Sequence, residues 1–154
     1  MARVTRGGTR ETRQTGNPFP GTFTEDTTPR GGVGTEAAMV SHHLEHGVLV
    51  VTVDQDPGID GRARLSSQIC DLVSAHRPAP VVIVLAEEAT GRTAVSAVLR
   101  AHRLCGHLGV LMSVVTHSAP ARRMLEDNAG TASPHLVVHA RVDTAVMTAF
   151  AAAA

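Results

Sequence analysis

The chain of 154 residues has no lysine, no tryptophan and no tyrosine, and only three phenylalanines, Phe19, Phe23 and Phe150. Single-stranded nucleic-acid binders stack bases on aromatic rings, and that mode of binding is largely unavailable here. The interior must be filled by Val, Leu, Ile, Met and Ala. Fourteen basic residues, all arginine, balance fourteen acids. No global field therefore draws the protein to a nucleic acid or an anionic membrane. Two cysteines, Cys70 and Cys105, make no disulfide framework. No apolar run is long enough to cross a bilayer, and none reads as a signal peptide. A reduced, cytoplasmic protein is expected. Arginine without lysine, with abundant Ala, Gly and Val, fits a GC-rich bacterial genome.

Chemical signatures are missing too. Ser66, Ser67 and Ser96 do not lie in a Gly-x-Ser-x-Gly elbow. Gly58-Ile59-Asp60-Gly61 has too few glycines for a dinucleotide fingerprint. Glu87 and Glu88 are adjacent on one stretch and have no complementary nucleophile, so they read as solvated acids and not as a catalytic pair. No enzyme activity and no cofactor is expected.

What is present begins with a contrast. Residues 1 to 37 are rich in Thr, Arg, Gly and Pro, as in Arg6-Gly7-Gly8-Thr9-Arg10. Such a stretch cannot bury enough apolar surface to offset the entropy of ordering it, and a disordered polar tail is expected there. Five Arg against four acids make it a poor polybasic arm. Residues 38 to 154 form the folded domain.

The pattern of that domain predicts alternating strands and helices. Ala38 to Leu44 and Val48 to Val53 read as a hairpin around Glu45-His46-Gly47. The loop Asp54 to Gly58 leads to a helix ending near His76. Its apolar stripe is Leu65, Ile69, Leu72 and Val73, and Pro78 and Pro80 stop it. Val81 to Leu85 is continuously apolar, as a strand covered on both faces must be. After the loop Ala86 to Gly91, a second helix carries Val95, Val98, Leu99 and His102 inward, to about Leu104 or Gly106. Val110 to Val115 is another buried strand. Ser118 caps a short helix with Pro120 in its first turn, which stops at Asn128-Ala129-Gly130. Leu136 to His139 is the last strand. A final helix places Val142, Ala145, Val146, Ala149 and Phe150 at helical spacing. The expectation is an α/β fold of about five strands and about four helices, in the order ββαβαβαβα, with a mostly parallel sheet.

Nine histidines raise the question of metal. His42, His43 and His46 sit at the hairpin, and His102, Cys105 and His107 have a His-x-x-Cys-x-His spacing. His102 belongs to the apolar stripe and His107 lies beyond Gly106, so no metal site is expected.

From about Leu44 to Phe150 this order of elements resembles the STAS domain, named for sulphate transporters and anti-sigma factor antagonists. The resemblance rests on Gly47-Val48-Leu49-Val50-Val51, Pro80 to Leu85, Ala101-His102-Arg103, Gly109-Val110-Leu111 and Ser118 to Glu126. The family's switch has the pattern Asp-Ser-Ser/Thr-Gly at the start of the second helix, where a partner kinase phosphorylates the hydroxyl. Counting back from Ala101-His102-Arg103 aligns Gly91 with the Asp, Arg92 with the first Ser, Thr93 with the phospho-acceptor and Ala94 with the Gly. Only the Thr93 hydroxyl survives. The resemblance implies a regulatory binding module that docks on an anti-sigma factor or serine/threonine kinase-like protein, with Thr93 as the phosphorylation candidate. Partner contacts would come from Asp54, Asp56, Asp60, Glu87, Glu88, Arg92 and Arg100. A phosphate on Thr93 would meet favourable backbone N–H groups, and Arg92 is placed to pair with it. A monomer or weak homodimer, without nucleic acid or membrane, is the implied state. The alternative is a diverged scaffold or small-ligand sensor on the same fold, without a phospho-switch.

Overall fold

A computed structural model describes residues 39–130 and 135–154. The polar tail expected over residues 1 to 37 lies outside them. The described elements are β1 (Val40–Glu45), β2 (Val48–Val53), α1 (Gly58–Ala75), β3 (Val81–Leu85), a 3-10 turn (Glu87–Ala89), α2 (Arg92–Leu108), β4 (Met112–Val115), α3 (Ala119–Asn128), β5 (Val137–His139) and α4 (Val142–Ala153). The order ββαβαβαβα is the expected one. The five strands form a single sheet in the spatial order β1-β2-β3-β4-β5. β1 runs antiparallel to β2, and β2 to β5 are parallel.

This topology decides where the helices go. Each β-α-β step from β2 to β5 moves one strand in the same direction. Crossovers of one hand then deliver every connecting helix to one face. Accordingly Leu65, Ile69 and Val73 of α1, Val95 and Val98 of α2, and Ala121 and Leu125 of α3 share one core with Leu49, Val51, Val53, Val81, Ile83, Leu85, Met112 and Val114. The alternate strand residues, Val48, Val50, Val82 and Val115, face the other side. There Ala145, Val146 and Ala149 of α4 cover them. Two-sided cover explains the continuous apolar reading of Val81 to Leu85, since a strand with one wet face would alternate.

The hairpin is tighter than the sequence pattern indicates. Glu45 pairs with Val48, so the turn is His46-Gly47 alone. Both turn residues have positive φ, 50° and 77°, as a two-residue connection of this twist requires. β4 begins at Met112, two residues later than expected, and α2 runs on to Leu108. The helix ends there because Val110 and Gly109 donate their N–H groups to the carbonyls of Cys105 and Gly106, a paired closing motif that the approximate end at Leu104 or Gly106 did not anticipate. α3 starts as read: Ser118 Oγ accepts from Ala121 N at 3.2 Å, with Pro120 beside it. Phe150 departs from its expected inward position. It is half exposed and leans on His46, ring centroids 6.2 Å apart.

Cys105 is completely buried in the core beneath α2. Burial, then the nearby Cys70 thiol, pushes its pKa from 9.0 up to about 12. Burial also raises Cys70. A thiol that ionises near pH 9 when unfolded and only near 12 when folded stabilises the fold below pH 9. That contribution disappears as the pH rises toward 12. The chain has neither lysine nor tyrosine to titrate in that window. We expect the urea midpoint to fall steadily between about pH 9 and 12 in the wild type, and to fall less steeply in Cys105→Ala. Equal slopes would show that Cys105 is not held protonated. In native protein at pH 8, Cys105 should resist a thiol reagent that modifies it readily in denaturant.

Candidate functional site

In an open sheet with parallel strands, the βα loops and the helix N-termini gather at the carboxyl ends of the strands. Here that edge is built from the loop after β2, the loop and 3-10 turn after β3, and the first turns of α1 and α2. The topology therefore gathers Asp54, Asp56, Asp60, Glu87, Glu88, Arg92 and Thr93 at one edge. Arg100 is not among them. It lies eight residues further along α2, about 12 Å by helical rise.

Asp56 organises the edge. Its Oδ1 accepts from Gly58 N at 2.9 Å, closing a local turn. Its Oδ2 reaches across 38 positions of sequence to accept from Ala94 N at 3.2 Å. Ala94 is the third residue of α2, and its N–H is one of the helix's unsatisfied donors. The residue preceding the helix, Gly91, has no side chain to offer and supplies only its carbonyl, to Val95 N. So the cap comes from another loop. A backbone hydrogen bond from Asp56 N to Glu88 O at 3.0 Å fastens the two loops a second time.

Gly91 is glycine for a steric reason. Its φ of −73° is open to any residue. A Cβ built on it would overlap the Asp56 carboxylate oxygen and sit 2.8 Å from Asp56 Cγ. Position 91 must therefore be bare, because the Asp56 carboxylate fills that space.

Thr93 is the second residue of α2 and half exposed. Its hydroxyl has no hydrogen-bond partner among the described residues. The Asp56 carboxylate takes the Ala94 N–H at this helix mouth, and the N–H groups of Arg92 and Thr93 have no partner among the described residues. A phosphate on Thr93 would meet those N–H groups with the Asp56 carboxylate close by. Thr90, not Thr93, is the hydroxyl engaged in this loop, donating to Glu87 O at 3.0 Å.

The side chains of Asp60, Glu87 and Glu88 are exposed, and those of Asp54 and Asp56 are half buried. Among them stands Ile59, 87% exposed, a residue that sequence reasoning passed over. Periodicity would have shown it, since Ile59 lies off the stripe of Leu65, Ile69, Leu72 and Val73. No group of three or more His, Cys, Asp or Glu among the described residues is placed to hold a metal ion. His102 is 7% exposed in the core, whereas His107 is exposed, so the His-x-x-Cys-x-His spacing does not converge. No protein-family model matches the chain, and no curated protein aligns with it significantly. No helix among the described residues is long and apolar enough to cross a membrane.

Asp56→Ala should cost about 1–2 kcal/mol, the usual worth of a helix cap, measured by chemical denaturation. Gly91→Ala should also destabilise, by forcing the carboxylate out. The two effects should not add: in the Asp56→Ala background, Gly91→Ala should cost at least about 1 kcal/mol less than in the wild type. Strict additivity would mean that Asp56 does not occupy the space beside Gly91.

Proposed function

We propose that this chain is a regulatory protein-binding module that resembles an anti-sigma factor antagonist and docks through the carboxyl edge of its sheet. The observation that carries this reading is Ile59, an exposed branched side chain on the same sheet edge as Asp54, Asp56, Asp60, Glu87 and Glu88. An apolar anchor ringed by charge is how docking surfaces are built: the anchor supplies affinity, and the rim steers approach and selects partners. The partner would be an anti-sigma factor or serine/threonine kinase-like protein with an arginine-bearing surface around an apolar pocket. The STAS-like element order supports that choice. The edge supports binding better than catalysis: Asp60, Glu87 and Glu88 face solvent, Asp56 is taken up by Gly58 N and Ala94 N, and among the described residues no nucleophile and oxyanion donors are arranged around a common point.

A specific observation favours the variant of this reading without a phospho-switch. The Asp56 carboxylate at the mouth of α2 does the electrostatic work that a phosphate on Thr93 would do. The edge would then be held in one arrangement permanently.

Affinity capture from the native host, with the wild type and Ile59→Asp as baits, tests the docking reading. The wild type should retain an ATPase-fold anti-sigma or kinase-like protein, and Ile59→Asp should lose it by at least about tenfold. If the wild type retains no such protein under conditions where a known antagonist keeps its own partner, the reading is wrong. Incubating the captured partner with ATP and the chain should leave the intact mass unchanged. A phosphate mapped to Thr93 would establish the switch instead.

A further inference from the structure

The sheet has two edges, and they are not alike. β5 is three residues long, and α3 packs against it. β1 is six residues long, and among the described residues nothing pairs with its outer side. The devices that usually blunt an exposed edge are missing from it. It has no proline and no arginine. Its register against β2 runs without a bulge. Its one acid, Glu45, stands at the turn beside His43 and His46.

The ladder shows which backbone groups are free. The two-residue turn makes Glu45 and Val48 a hydrogen-bonded pair. At the other end Asp54 N donates to Met39 O at 2.9 Å. Bonded pairs alternate along an antiparallel ladder, so Ser41, His43 and Glu45 turn their N–H and C=O toward β2. The far side of β2 agrees: Leu49 N donates to Pro80 O, and Val53 O accepts from Ala86 N. Val40, His42 and Leu44 therefore present N–H and C=O outward. Their side chains share the face covered by α1. Val40 packs on that core, and His42 meets His76 at the end of α1, ring centroids 5.6 Å apart. Leu44 is 58% exposed.

These three residues are self-complementary. An antiparallel copy related by a two-fold axis at His42 sets His42 against its counterpart, and Val40 against Leu44 of the second copy, twice. Each of the three pairs exchanges two backbone bonds, about six in all. Moving the register by two residues in either direction carries a residue past the end of β1 and leaves about four. Exposed Leu44 gains an apolar partner. On the other face Ser41 falls opposite His43, and no acid of β1 faces an acid of its copy. Any extended segment matches the backbone. The second copy also matches the side chains at the same register, and its two-fold axis uses up both β1 edges, so the assembly stops at two. We propose that this chain forms a homodimer by antiparallel pairing of β1 about a two-fold axis at His42, which joins two five-stranded sheets into one. The pairing uses none of the residues of the docking reading, so the two fail separately.

A six-residue edge buries less than about 1,200 Å², so the dimer dissociates on dilution. Sedimentation equilibrium of the full chain in EDTA, from micromolar to near-millimolar protein, should show a reversible monomer–dimer equilibrium. Amide exchange resolved by residue gives the pattern of bonds. Val40, His42 and Leu44 should exchange freely in dilute protein and become protected as the dimer forms. Ser41, His43 and Glu45 should change little with concentration. H42P removes an outward N–H, which an edge strand tolerates. It should weaken association at least about tenfold with the circular dichroism unchanged. L44E sets a carboxylate against Val40 and should weaken association by a different route. I59D should associate like the wild type. A monomer at every concentration, association that survives both H42P and L44E, or a dimer that forms only without EDTA and so depends on metal-bridged imidazoles, would overturn the proposal. So would amides of Val40, His42 and Leu44 already protected in the dilute monomer, which would place another segment of the chain on this edge.

Discussion

A single carboxylate ties together two loops at the carboxyl edge of the sheet. Asp56 belongs to the loop after β2, yet it caps the helix that follows β3. A helix normally recruits its cap from the residue just before it, where the geometry is local and the entropic cost small. Delivering the cap from 38 residues away makes the two loops one unit: α2 starts properly only if the β2–α1 loop is in place. The hydrogen bond from Asp56 N to Glu88 O adds to the same clasp. Gly91 is its steric complement, since only a missing side chain leaves room for the carboxylate.

That arrangement also orders the charges along α2. The positive end of the helix dipole meets Asp56, with Asp60, Glu87 and Glu88 on the same edge. Arg100 and Arg103 lie in the middle turns, beyond the reach of either end of the dipole. A chain of zero net charge thus carries acids at one end of α2 and arginines along its length. Composition alone reports only the sum. It argues against a general field that would attract polyanions, and it conceals the local clustering of acids and arginines.

The fold was largely legible because the sheet is covered on both sides. Val81 to Leu85 could hardly be anything but a central strand, and Ser118 with Pro120 announced the start of α3 through local chemistry. Boundaries slipped where tertiary bonds set them, as at the end of α2, closed by Val110 and Gly109, and at the start of β4. The site was legible as a set of acids near one end of the sheet, since a parallel α/β order sends the loops after β2 and β3 to the same edge. Which acid faces the helix was not. Asp56 and Ala94 are distant in sequence, and no periodicity links them. Gly91 reads as a missing aspartate until the coordinates show another carboxylate in its space. Arg92 and Arg100 were noted singly. Their stripe with Ser96 and Arg103 has helical spacing, but that becomes a groove only once α1 and α3 are seen to flank it.

Supplying the cap from a neighbouring loop has a mechanical consequence. Where an acid precedes its own helix, the helix mouth can change without disturbing other loops. Here Asp56 lies three residues before Ile59, and Gly58 N is held by the same carboxylate that holds Ala94 N. Asp56 takes only the Ala94 N–H, so the N–H groups of Arg92 and Thr93 stay open at the helix mouth. A negative charge placed there would lie close to the Asp56 carboxylate, and the repulsion would bear on the same side chain that ties the β2–α1 loop to α2. The local turn, closed through Oδ1, and the long-range cap, closed through Oδ2, are thus two bonds of one side chain, which couples the geometry of two loops distant in sequence.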